Sequence, residues 1–168
     1  MVITDRYDHV IDDKNRLAIP SQVRNAMDVT LDGTAFYLVP EGRYLQLIPE
    51  KLFHQLAGLA TAGLNIAPDI AKARRLMFAT ASRLECDKAG RCIIPDRFLA
   101  DRKKDANSFG EAILGREVTL VGVGDRLEIW NRTDLYNHLR ELLLDRPAIQ
   151  AASQQLFTAP PPQTPTVV

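Results

Sequence analysis

The chain predicts an α+β fold: two tandem β-β-α-β-β repeats whose hairpins interleave in one barrel-like core, with helices at the periphery. Three observations point there. DDKNRLAIP at 12–20 and DKAGRCIIP at 87–95 share the pattern D-x-x-x-R-x-x-x-P at an offset of 75 residues. Downstream, FYLVPEGRYLQLI at 36–48 matches VTLVGVGDRLEIW at 118–130, with Gly42 falling on Gly124. A unit of this size buries too little apolar surface to stand alone, so two copies sharing a core account for the duplication.

Each repeat opens with a short strand, His9–Ile11 in the first and Ser82–Cys86 in the second. A tight turn follows, opened by Asp12 or Asp87, whose carboxylate can accept from the backbone two residues on. Asn15 and Gly90 hold the same turn position and are residue types that tolerate positive φ, so a left-handed residue is expected there. In the next strand Leu17 and Ile19 lie on one face, Arg16 and Ala18 on the other. Pro20 and Pro95 end it and suit the first position of a short helix, SQVRNAM or DRFLAD. A second hairpin turns at EGR or VGD between runs of Leu, Val, Ile and Tyr.

Helices are expected next, over PEKLFHQLAGLA in the first repeat and RTDLYNHLRELLL in the second, the latter with Thr133 as N-cap. PDIAKARRLMFATA at 68–81 reads as a helix leading into the second repeat, and residues 147–157 as one more amphipathic helix. The downstream match needs an offset of 82 rather than 75, which places a seven-residue insertion in RKKDANSFGEAIL, polar enough for a surface loop. TAPPPQTPTVV has the composition of a disordered tail, and the P-x-x-P at Pro162–Pro165 is a pattern that solvated tails also carry.

Lysine plus arginine and aspartate plus glutamate each total 21, so the formal charge is zero and there is no global basic signal. The distribution is uneven: Lys72 to Lys104 holds ten basic and four acidic residues, +6 against −6 elsewhere. Such segregation fits a solvated face, a polyanion partner or head-to-tail assembly. No apolar run is long enough to span a membrane, and MVITDRYDH lacks the apolar core of a secretion signal, so a cytoplasmic protein is expected. In that setting Cys86 and Cys92, which lack zinc-site spacing, read as reduced thiols rather than a cross-turn disulfide.

Catalysis is not encoded. His9, His54 and His138 are scattered, with no serine or cysteine arranged as a nucleophile–base pair. GVGDRL begins like a dinucleotide loop but lies between two strand patterns with no helix after it. No set of residues has metal-ligand spacing. Asp12 and Asp87 are better explained as turn openers than as paired carboxylates. The expectation is a non-enzyme with no catalytic residues, cofactor, metal site or small-molecule substrate.

The repeated arginines remain. Arg16 and Arg91 each stand just past a tight turn, beside Lys14 and Lys88. One reading is an Asp–Arg pair closing the turn, contributing at most about 1 kcal/mol when exposed. The other is a projecting guanidinium able to fork onto guanine O6 and N7 or onto phosphate. Residue chemistry alone leaves the two readings balanced.

YDHVIDDKNRLAIPSQVR, RRLMFATASRLECDKAGRCIIP and EVTLVGVGDRLEIWNRTDL resemble, in order and spacing, the two halves of the MraZ family, bacterial DNA-binding regulators related to the AbrB swapped-hairpin fold. The resemblance runs from about Tyr7 to about Leu143. It implies domains at 1–63 (first AbrB-like repeat), 64–80 (connecting helix), 81–144 (second repeat), 145–158 (C-terminal helix) and 159–168 (Pro-rich tail). It further implies a closed homo-oligomeric ring of the octamer type that binds short direct repeats in double-stranded promoter DNA. Such a ring would be nucleoid-associated and would repress the cluster of cell-division and cell-wall genes. The family's D-x-K-G-R falls on Asp12, Lys14, Asn15 and Arg16, making Arg16 the base-reading candidate, Lys14 its phosphate or base partner and Asp12 the turn former. The second-repeat pattern falls on Asp87, Lys88, Gly90 and Arg91, where subunit contacts compete with DNA contact for Lys88 and Arg91. Asn15 departs from the family's glycine; it is expected to keep the turn while adding a side chain at the tip that alters base preference. Two other classes stay open: a ring-forming structural protein whose arginines make only subunit salt bridges, and an antitoxin-like protein that binds a partner through its C-terminal segment.

Overall fold

The computed structural model describes residues 2–61, 67–101 and 112–158. The tail at 159–168 and most of the insertion lie outside the described residues. The chain divides into two compact units, residues 1–134 and 135–168.

The first unit contains β1 (Arg6–Val10), β2 (Arg16–Ala18), α1 (Ser21–Ala26), α2 (Val29–Asp32), β3 (Ala35–Glu41), β4 (Tyr44–Pro49) and α3 (Glu50–Thr61). It continues through α4 (Pro68–Thr80), β5 (Ser82–Glu85), β6 (Arg91–Ile93), a 3-10 turn at Asp96–Phe98, β7 (Glu117–Gly122) and β8 (Leu127–Asn131). α5 (Arg132–Leu144) starts at its end. Most of α5 belongs to the second unit, with α6 (Arg146–Thr158); between them the Asp145 carbonyl accepts from the Ile149 amide at 3.2 Å.

Interleaving is visible in the strand order. A six-stranded antiparallel sheet runs β1-β7-β8-β4-β3-β5. β1 of the first repeat flanks the second repeat's hairpin, with Tyr7 opposite Leu120, and β5 of the second flanks the first repeat's hairpin, with Leu84 opposite Phe36. The hairpins meet in the middle through β4 and β8, Leu45 opposite Ile129. Each repeat therefore lends its first strand to the other. β2 and β6 pair with each other as a separate two-stranded ribbon, Leu17 opposite Cys92. The sheet is open, so the barrel-like core expected from sequence is a sheet with a ribbon packed over it.

Period-two alternation decides which face is buried. Leu38, Leu45, Leu47, Val118, Leu120, Leu127 and Ile129 turn to one side and join Leu17, Ile19, Cys92 and Ile94 from the ribbon in the main core. Each such side chain contributes about 1.5–3 kcal/mol by leaving water. On the opposite side Val39 and Ile48 pack with Phe53 of α3, and the Tyr37 and Phe53 rings stack at 4.0 Å.

Several local expectations are corrected. Pro20 and Pro95 stand at the N-caps, ahead of the first helical position. DRFLAD makes only a single 3-10 turn because Leu99 turns extended and bridges Leu114, while the Phe98 carbonyl takes the Ile113 and Leu114 amides. Thr133 is not a cap: β8 runs directly into α5, which begins at Arg132. The unexpected α2 is nucleated by Asp28, whose carboxylate accepts from the Thr30 and Leu31 amides at 2.7 and 3.3 Å. Cys86 and Cys92 are joined as a disulfide rather than held as thiols. They face each other across an antiparallel bridge with Cα atoms 4.3 Å apart, a register that the spacing in sequence does not reveal.

Candidate functional site

The first hairpin tip is built by Asp12. Its Oδ1 accepts from the backbone amides of Lys14 at 2.9 Å and Arg16 at 2.8 Å, and its own carbonyl accepts from the Asn15 amide at 2.8 Å. This closes a turn in which Asn15 takes φ 59°, the left-handed conformation expected of it. The second carboxylate oxygen, Oδ2, accepts from Arg16 Nε at 2.7 Å. These bonds hold the Asp12 carboxyl below the usual carboxylate range, the Arg16 amide first among the causes.

The second tip repeats the device. Asp87 accepts from the amides of Ala89 at 2.9 Å and Arg91 at 3.0 Å, and from Arg91 Nε at 2.9 Å. Gly90 takes φ 75°. The Asp87 carboxyl is likewise held down, again chiefly by the backbone amide of the arginine. Lys14 and Lys88 are both exposed.

The ribbon brings the two arginines to one surface. Arg16 pairs with Ile93 and Ala18 with Arg91, while Leu17 and Cys92 between them are fully buried. Arg16, Ala18, Arg91 and Ile93 therefore share the outer face, with the arginines on a cross-strand diagonal of roughly 7–8 Å. Because the strands are antiparallel, the tips lie at opposite ends. Ile94 N bonds Asn15 O at 2.8 Å at one end, and Ile19 N bonds Gly90 O at 2.9 Å at the other. Four residue steps separate those ends on each strand, about 13 Å of extended chain.

Asn15 is placed differently from expectation. It is only 8% exposed, with its carboxamide turned inward: Nδ2 donates to Asp96 and Oδ1 accepts from Arg116 Nη1 at 3.0 Å. Its side chain lies beneath the tip instead of extending from it. Arg116 also donates to the Asp12 carbonyl at 2.7 Å, and over the second tip Arg24 donates to the Ile19 carbonyl at 3.1 Å. Sequence reasoning missed both arginines. Neither recurs at the repeat offset, so only three-dimensional proximity reveals them. Within the basic window Arg83 is engaged by Glu50 and Glu85, and Arg97 by the Thr80 carbonyl and Ser82 hydroxyl. Arg102, Lys103 and Lys104 lie outside the described residues.

Among the described residues no group of His, Cys, Asp and Glu could hold a metal ion, and no helix is long and apolar enough to cross a membrane. Fold and ribbon together define a tandem, internally swapped-hairpin protein whose distinctive surface is a two-stranded ribbon carrying two aspartate-paired arginines. Residues 77–156 match the family model described as "MraZ protein, putative antitoxin-like". Similar relatives include the transcriptional regulator MraZ of Thermomicrobium roseum, 32% identical over 153 residues that cover 91% of this chain and 96% of the relative. That of Mycoplasmoides gallisepticum is 31% identical over 83% of this chain and 88% of its own length, and that of Pediococcus pentosaceus 37% identical over 75% and 78%. The chain belongs to the MraZ family of transcriptional regulators, which is not an enzyme family.

Proposed function

We propose that the chain is a sequence-specific double-stranded DNA-binding regulator whose contact surface is the outer face of the β2–β6 ribbon. Arg16 is the principal base reader, Lys14 its phosphate partner, and Lys88 and Arg91 the second tip's contribution. The observation that carries the reading is the convergence of Arg16 and Arg91, both half-buried, on the outer ribbon face. A two-stranded ribbon fits the major groove, about 12 Å wide, where an arginine fork can pair with guanine O6 and N7. Each arginine is anchored to its aspartate, which aims the guanidinium and reduces the rotamer freedom lost on binding.

The first tip sums to zero formal charge over Asp12, Asp13, Lys14 and Arg16, so a single ribbon offers little non-specific attraction. A homo-oligomeric ring engaging several short promoter repeats would multiply modest contacts. We extend the reading accordingly to a cytoplasmic, ring-forming repressor of the cell-division and cell-wall gene cluster.

Fluorescence anisotropy on the duplex upstream of the protein's own gene tests this, against a scrambled duplex at two salt concentrations. Wild type is expected to prefer the native duplex, and Arg16→Ala to lose about 1–3 kcal/mol of that preference while its melting and oligomer size are unchanged. Arg91→Ala is expected to lose less. Absence of any preference in wild type overturns the reading, and loss of the oligomer in Arg16→Ala favours a structural role for the arginines.

A further inference from the structure

We infer that Asn15 and Arg116 form a brace specific to the first tip, and that Arg116, a second-repeat residue outside the ribbon, is a positioning residue for Lys14 and Arg16. The consequence for DNA rests on the proposed function; the brace itself does not.

Three contacts converge under the tip. Arg116 Nη1 donates to the Asp12 carbonyl at 2.7 Å and to Asn15 Oδ1 at 3.0 Å. Its Nε donates to Asp101 Oδ2 at 2.7 Å, which fixes the plane of the guanidinium from below. Asn15 in turn donates through Nδ2 to Asp96. The Arg116 backbone is part of the same arrangement, its carbonyl accepting from the Ile11 amide at 2.9 Å. Asp12 is thus gripped from behind by the residue that stands opposite the end of β1, while its carboxylate grips Arg16 in front. A disturbance at Arg116 reaches Arg16 through one residue.

The second tip is covered in another way. A Cβ on Gly90 would overlap Arg24 Cδ and Nε, so the Arg24 side chain occupies the place that Asn15's carboxamide begins from in the first tip. The repeat does not supply either cover symmetrically. At the offset of 75 residues, Arg24 corresponds to the buried Leu99, and at the offset of 82, Arg116 corresponds to Thr34. The exchange of asparagine for glycine therefore goes with the exchange of covering arginine. Glycine leaves room for Arg24, and asparagine supplies the acceptor that Arg116 uses. A left-handed asparagine whose amide is bonded on both sides is a pre-organised element, and pre-organisation lowers the ordering cost of whatever the tip binds.

The full-length protein carrying Arg116→Ala, Arg116→Lys, Asn15→Gly or Arg24→Ala separates the possibilities by amide hydrogen exchange at residues 12–16 and 87–91, with anisotropy on the native and scrambled duplexes. Arg116→Ala is expected to speed exchange at Asn15 and Arg16 about tenfold, the size of one charged hydrogen bond, and to leave 87–91 unchanged. Asn15→Gly should act in the same direction without removing a charge, and Arg116→Lys should restore part of the protection. Arg24→Ala should show the mirror pattern. Preference for the native duplex should fall in step with first-tip exchange. Equal acceleration at both tips, or none at the first, overturns the brace; a loosened first tip with undiminished duplex preference overturns the positioning role. If wild type shows no preference while the exchange pattern holds, the proposed function fails and the brace stands.

Discussion

The two hairpin tips of this chain share a backbone and differ in what surrounds it. Asp12 and Asp87 each take two amides and an arginine Nε, and Asn15 and Gly90 each go left-handed. Around that common frame the tips diverge: Arg116, itself held by Asp101, and Asp96 bond the first, and Arg24 covers the second. The internal two-fold is kept where turn geometry demands it and is lost where side chains arrive from elsewhere in the chain. Duplication supplied two equal hairpins, and the uneven surroundings give them scope for unequal roles.

The largest effect is expected where the tips share a floor. Leu17 is fully buried opposite Cys92, beneath both arginines. Leu17→Ala should cost about 2–5 kcal/mol by transfer and cavity effects, read as a lower melting temperature. Hydrogen exchange at 12–16 and 87–91 should rise together. Loosening of the first tip alone would mean that each tip rests on its own floor and that the comparison begins deeper than the covers.

A smaller effect separates the covers. Gly90→Asn forces Arg24 aside and breaks its bond to Ile19, a loss of about 2 kcal/mol for a charged donor. Asn15→Gly creates no clash, and glycine's ease at φ 59° offsets much of the two charge-assisted bonds given up to Asp96 and Arg116, so a net loss of about 1 kcal/mol is expected. Chemical denaturation of the two variants checks the order. A reversed order would show that Arg24 relocates freely and that the glycine is required by φ alone.

Most of the scaffold was legible in the sequence. The duplicated motif and the alternating apolar runs led to two interleaved repeats, and Asn15 and Gly90 marked the left-handed positions. Two kinds of feature were hidden. One was tertiary override: DRFLAD stops after a single turn because Leu99 is drawn to Leu114, a partner at the far end of the inserted stretch. The other was asymmetry. Arg24 and Arg116 have no counterpart at the repeat offset, so the repeat does not mark them, and the inward turn of Asn15 depends on Arg116 and Asp96, both far away in sequence. DVTLD carried a signal that could have been read, since an aspartate able to cap a turn precedes the run and a second one ends it.

The finest distinction concerns what organises each tip, the charge pair or the backbone cap. The carboxyls of Asp12 and Asp87 are depressed, so the order they give is fully present above the unfolded value of about 3.9 and is lost as pH falls through the lower folded value. Protonation removes negative charge from an acceptor of two amides, and the turn loosens in acid while staying intact at neutral pH. In both tips the backbone amide of the arginine is the leading cause, ahead of the guanidinium. Arg16→Ala keeps that amide, so the Asp12 carboxyl should move up only part of the way in a carboxyl-detected NMR titration. A full return to the ordinary range would make the ion pair the organiser of the turn. The partial return means that the turn survives without its guanidinium, which leaves Arg16 able to exchange the Asp12 carboxylate for another acceptor without dismantling the hairpin that presents it.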